Sequence, residues 1–176
     1  MIYLDYAATT PVDPEVITAY QVLLKRYFAN AASHHPMGSM VERLQARARQ
    51  QIAQLFRAKP EEIIFTSGAS EANNLAIKGI AFQYQQRGKH IITSCVEHPS
   101  VLNTCHQLEL LFGFEVTYLP VDDQGQVRVE ELVKHLRKDT ILVSIMSVNN
   151  EVGAYNDIPA LVAATKANSR AFFHSD

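Results

Sequence analysis

Residues 62–94 read EIIFTSGASEANNLAIKGIAFQYQQRGKHIITS. The stretch opens on a short apolar run, Glu62-Ile63-Ile64-Phe65-Thr66, which predicts a strand. Four small residues follow, Ser67-Gly68-Ala69-Ser70. A helix is predicted from Glu71 to Arg87, stopped at Gly88 as a C-terminal cap. His90-Ile91-Ile92-Thr93-Ser94 predicts the next strand.

The same alternation continues along the chain. Pro99 to Phe112 predicts a helix ending at Gly113, Glu115 to Pro120 a strand, and Val129 to Arg137 a helix. Thr140 to Met146 predicts a strand, Ile158 to Ala167 a helix, and Ala171-Phe172-Phe173-His174 a last strand. Before residue 62 the pattern is helical. Asp13 and Pro14 begin a helix to Phe28 with Val16, Ala19, Tyr20, Leu23 and Leu24 on one face. Leu44, Ala48, Ile52 and Leu55 mark a second helix over Met40 to Phe56. Strands and helices in alternation, with continuous apolar strands, give an α/β fold: a three-layer α/β/α arrangement with a mostly parallel sheet.

Composition narrows the function classes. The 176 residues carry a formal charge of −2, so nothing electrostatic points to nucleic acid or an anionic membrane. Cys95 and Cys105 cannot form a disulfide framework, and no His/Cys spacing suggests a metal site. Loose thiols are typical of a reducing compartment. No secretory leader or membrane span is expected, and a soluble, cytoplasmic protein is predicted.

Parallel sheets bind ligands at the carboxyl ends of their strands. Four predicted strands end in polar groups: Thr66-Ser67-Gly68-Ala69-Ser70, Ser94-Cys95-Val96-Glu97-His98, Ser147-Val148-Asn149-Asn150-Glu151, and His174-Ser175-Asp176. The Ser67–Ser70 turn has two readings. Backbone N–H groups at a helix start, with the Ser70 hydroxyl, can cradle an anion. Alternatively Ser70 simply caps the helix, with Asn73 three residues on. His98 alone reads as a surface or capping residue, and Asn149-Asn150 as a turn.

Together these segments resemble the cysteine desulfurases, pyridoxal-phosphate (PLP) enzymes of the class V aminotransferase group. The resemblance is carried by the opening Tyr3-Leu4-Asp5-Tyr6-Ala7-Ala8-Thr9-Thr10-Pro11 and by Phe65-Thr66-Ser67-Gly68-Ala69-Ser70-Glu71-Ala72-Asn73-Asn74. Glu97-His98, Val148-Asn149-Asn150-Glu151-Val152-Gly153 and His174-Ser175-Asp176 follow in family order. The resemblance implies that Ala69 and Ser70 hold the PLP phosphate. It implies that His98 stacks on the pyridine ring and helps move protons. Asn150 would bond the phenolic oxygen, and Asp176 would keep the ring nitrogen protonated. Residues 1–176 would be the N-terminal part of such a domain. The implied reaction removes sulfur from L-cysteine, giving alanine and an enzyme persulfide for iron–sulfur assembly or tRNA thiolation. Implied partners are a sulfur-acceptor protein and a second copy in a homodimer.

The chain departs from the family's pattern in several places. Ala31 stands where Pro is common, although His35 and Gly38 match, and Ser175 replaces a small apolar residue. The family's chains are more than twice as long, and their Schiff-base lysine and nucleophilic cysteine lie beyond the position of Asp176. Cys95, Cys105, Lys78, Lys89 and Lys166 offer no replacement. The expectation is a chain inactive alone and completed by a C-terminal half, with bare apolar helix faces. Two other readings follow: a non-catalytic remnant or split subunit binding a partner protein, and another class V enzyme such as a selenocysteine lyase.

Overall fold

The computed structural model describes residues 2–176 and comprises two compact units, one ending at Phe65 and the other Thr66–Asp176. The first unit contains α1 (Pro14–Arg26) and α2 (Pro36–Phe56). Asp13 caps α1 by accepting the Glu15 N–H at 2.8 Å, and Lys25 and Arg26 sit in the last turn, where cations oppose the helix dipole. No residue of α1 is buried: its predicted apolar face, Val16, Tyr20, Leu23 and Leu24, is exposed.

α2 begins before the predicted Met40. His35 caps it, its Nδ1 accepting the Gly38 N–H at 3.2 Å, and Pro36 takes the first helical position, where its missing N–H costs nothing. Gly38 is required there, because a Cβ would run into the Ser33 carbonyl oxygen. The predicted strand over 62–66 is not formed. Pro60–Glu62 is a single 3-10 turn, and residues 63–66 have no assigned structure. A strand needs a neighbour for its N–H and C=O groups, and no described segment pairs with this one. Ile64 and Phe65 are accordingly exposed.

The second unit is the α/β body. It holds α3 (Ala69–Tyr84), β1 (His90–Ser94), α4 (Pro99–Phe112), β2 (Glu115–Leu119), α5 (Val129–His135), β3 (Thr140–Ser144), α6 (Ile158–Asn168) and β4 (Phe172–His174). The four strands are all parallel, in the order β2-β1-β3-β4. Neighbouring residues of one strand serve opposite faces. Ile91 and Leu142 pack with Ile77 and Ala81 of α3 and Val101, Cys105 and Leu108 of α4. Ile92 and Val143 pack with Leu132 of α5 and Leu161 of α6. Helices thus cover both faces, which is the predicted three-layer arrangement. α4 ends at Gly113, whose φ of 67° is in the left-handed region that glycine adopts readily. At the amino end of the sheet, buried His90 ties three strands: Nδ1 lies 2.8 Å from Thr140 Oγ1 and Nε2 2.8 Å from Thr117 Oγ1. No described helix is long and apolar enough to cross a membrane.

Candidate cofactor site

Three of the four predicted polar strand ends do terminate strands. The fourth, Thr66–Ser70, arrives from an unpaired segment but still delivers the start of α3. The α3 start is not the predicted Ser70 cap. Gly68 occupies the cap position without a side-chain bond, and Ser70 lies inside the first turn. The work of capping falls to Glu71, which reaches back to accept from the Ser67 hydroxyl at 2.7 Å and the Ser67 N–H at 2.6 Å. These bonds, the hydroxyl first, hold the Glu71 carboxyl below its ordinary range. Ser67 is therefore spent on the helix. The N–H groups of Ala69 and Ser70 and the Ser70 hydroxyl donate to no described residue, and they lie where the helix dipole favours an anion.

β1 leads into Cys95-Val96-Glu97-His98, and His98 caps α4. Its Nδ1 accepts the Ser100 N–H at 3.1 Å and lies 2.8 Å from Ser100 Oγ. Glu97, beside it, is only 4% exposed. Glu97 Oε1 accepts from Ser94 Oγ at 2.6 Å and from the Met146 N–H at 3.0 Å, while Oε2 is buried without a partner. Burial pushes its carboxyl up to about 7, against the two hydrogen bonds that favour the ionised form; the Asp176 charge adds to the rise. β3 leads into the loop 145–156, turned back on itself by the Val148–Tyr155 bridge. Asn149 shapes that loop: Oδ1 accepts the N–H groups of Glu151 and Val152 at 2.9 and 3.0 Å, and Nδ2 donates to Val96 O at 3.0 Å. Asn150 is left exposed. After β4, Asp176 is fixed through its backbone oxygen, which accepts the Ser147 N–H at 3.2 Å.

These elements enclose a cavity of about 220 Å³ lined by Ala69, His98, Met146, Val148, Asn150 and Asp176. Four of the five predicted site residues line it. Ser70 lines the adjoining polar groove of about 380 Å³, which His98 also borders. An apolar floor, a flat imidazole, a free carboxylate, an exposed carboxamide and unspent donors at a helix start suit a planar, anionic heterocycle such as PLP. The donor set fits the group. No lysine lines the cavity.

Two residues central to this geometry escape a reading by residue type. Glu97 adjoins His98 in the sequence, but its burial depends on the Met146 N–H, far along the chain. Asn73, read as part of a cap, instead sends its amide to Ser100 of α4 at 2.8 Å. Cys95 is exposed. Cys105 is buried within α4, its thiol pushed up to about 12 by burial. Among the described residues no cluster of His, Cys, Asp or Glu is placed to hold a metal.

Comparison with known proteins gives a consistent picture. The family described as aminotransferase class-V matches residues 2–176. The cysteine desulfurase IscS of Dictyoglomus turgidum is 52% identical over 175 residues, which is 99% of this chain and 44% of that protein. Its counterpart from Shewanella loihica is 50% identical over 178 residues, again 99% and 44%. Among solved structures, a NifS-like protein superposes with a TM-score of 0.96 at 38% identity, covering 99% of this chain and 48% of its own. SspA in complex with cysteine gives 0.93 at 40% identity, covering 99% and 50%. The chain thus spans about half the length of the relatives it matches.

Proposed function

This chain belongs to the class-V aminotransferase family, and we propose that it supplies the cofactor-holding part of a cysteine desulfurase acting on L-cysteine. The supporting observation is the convergence of Ala69, His98, Asn150 and Asp176 on one cavity, from four separate elements. PLP, when bound, supplies an electron-withdrawing ring that takes up the electrons of a broken bond. The chain's own residues bind and orient it. The Ala69 and Ser70 N–H groups and the Ser70 hydroxyl hold the phosphate at the start of α3. The His98 imidazole stacks on the ring. The Asn150 carboxamide donates to the ring's phenolic oxygen. The Asp176 carboxylate accepts from the ring nitrogen and keeps its proton in place, which preserves the electron-withdrawing power. Met146 and Val148 would supply the apolar part of the lining against which a bound ring could rest. We further propose that the chain is completed by a C-terminal half that supplies a cysteine thiol. That thiol forms an S–S bond to the sulfur of L-cysteine as its C–S bond breaks, and the carbon takes up a proton and leaves as alanine. The persulfide sulfur then passes to an acceptor protein.

Titration of the chain with PLP, followed by absorbance, tests the site. Saturable one-to-one binding, weakened by Asp176→Asn, is expected. Because no lysine lines the cavity, borohydride should leave no site-specific mass gain. Absence of saturable binding, or binding indifferent to Asp176, would overturn the site assignment. The substrate is tested by supplementing the chain with the remaining portion of a relative and measuring alanine release from L-cysteine. No release from L-cysteine, with release from selenocysteine, would favour a lyase.

A further inference from the structure

His98 sits on a hydrogen-bond chain that runs from α4 into the buried side of α3. The chain has one member whose role is fixed by chemistry. The Ser100 backbone N–H, 3.1 Å from His98 Nδ1, can only donate. Nδ1 therefore presents its lone pair. Ser100 Oγ lies 2.8 Å from the same nitrogen, and facing an acceptor it donates its single proton there. Having spent that proton, Oγ can only accept from its other neighbour. That neighbour is the Asn73 carboxamide at 2.8 Å, which must present its NH2 group. Asn73 is 3% exposed, so water does not compete for the contact.

We infer that Ser100 and Asn73 are positioning residues for His98, which hold its ring as the tautomer with hydrogen on Nε2. Two donors converge on Nδ1, so a proton there would face the Ser100 N–H. Nε2 carries the hydrogen and bonds no described residue. A ring held this way offers a hydrogen-bond donor at Nε2. It is not set to take up a proton at that atom, as a general base would. The use of this donor beside a bound cofactor rests on the proposed function; the tautomer itself does not.

Long-range proton–nitrogen correlation spectra of the histidine-labelled chain, without cofactor and above the pH of ring protonation, read the tautomer directly. The expected spectrum has Nδ1 at a non-protonated position and Nε2 at a protonated one. Asn73→Asp turns the Ser100 hydroxyl away: it donates to the new carboxylate, Nδ1 keeps only the backbone N–H, and its signal moves toward the position of a less strongly bonded nitrogen. In the Ser100→Ala background that movement should be lost, because the hydroxyl is gone. Ser100→Ala alone keeps the tautomer through the backbone N–H and moves Nδ1 toward the position of a less strongly bonded nitrogen. A protonated Nδ1 in the unsubstituted chain overturns the inference without any variant. So does a movement on Asn73→Asp that is equal with and without the Ser100 hydroxyl, which would report a through-space charge. Loss of PLP binding with the expected tautomer intact would count against the proposed function and leave this inference standing.

Discussion

Replacing Glu97 by Gln should remove a pH-dependent loss of stability. In the fold, burial lifts this carboxyl from 4.5 to about 7. Between those values the folded chain keeps a proton that the unfolded chain has released. The unfolding free energy then falls as pH rises, by about 1.4 kcal/mol per pH unit. Over the interval from 4.5 to about 7 the total is about 3 kcal/mol. Stability is therefore greatest below the unfolded value and lost as pH climbs through the folded one. Gln keeps an oxygen for Ser94 Oγ and the Met146 N–H and never ionises. His90 and His174 carry the opposite slope: burial lowers both, so they favour the fold as pH rises toward the ordinary histidine range. They are common to both proteins and cancel in the difference. Urea titrations of parent and E97Q, from about pH 4.5 to about pH 8, should show the variant gaining about 3 kcal/mol on the parent. A difference that stays flat, or that favours the parent at high pH, would mean that Glu97 is ionised in the fold, and would refute the reasoning.

Three shorter predictions concern the cofactor cradle, the strand brace and the thiols. Ser70→Ala removes a hydroxyl donor to the proposed phosphate; hydrogen bonds to charged groups contribute roughly 1.5–3 kcal/mol, so PLP should bind roughly 10- to 100-fold more weakly in an absorbance titration. An unchanged affinity would place the phosphate elsewhere. Thr117→Val leaves His90 Nε2 without its partner and should cost about 1–3 kcal/mol in urea unfolding; an unchanged midpoint would show that the brace carries no stability. A thiol reagent should modify exposed Cys95 in the folded chain and reach Cys105 only on unfolding; simultaneous reaction of both thiols would contradict the burial of Cys105.

The order and layering of the α/β body could be read from the sequence because each cue there was local. Apolar strands such as His90–Ser94 and Thr140–Ser144 carried their own signal, and Gly113 marked the end of α4 by a conformation few other residues accept. The run Glu62–Thr66 carried the same apolar signal and made no strand. Pairing is a property of two segments, and the pattern of one segment cannot supply the other. The start of α2 was missed for a local reason. His35-Pro36 followed by Gly38 reads as a loop until the histidine nitrogen is seen to cap the Gly38 N–H.

The site was legible where a side chain faces the cavity and obscure where it holds another residue in place. The rule that parallel strands gather ligands at their carboxyl ends marked the segments, and the family resemblance singled out Ala69, His98, Asn150 and Asp176 within them. Glu97 and Asn149 stand one position away from two of them, and are 4% and 7% exposed. Their contacts are reciprocal. Glu97, on the loop after β1, accepts the Met146 N–H of the loop after β3. Asn149, on the loop after β3, donates to the Val96 carbonyl of the loop after β1. Each loop thus uses a buried polar side chain to satisfy the backbone of the other, and the neighbouring residue is turned outward as a result. His98 and Asn150 reach the same cavity through this mutual tie, because each directly follows a residue whose side chain is turned inward. A buried carboxyl whose proton is retained near neutrality is what this tie costs, and its second oxygen is left without a partner. The cost is tolerable because losing the tie would free both loops at once, and with them the two side chains proposed to grip the ring.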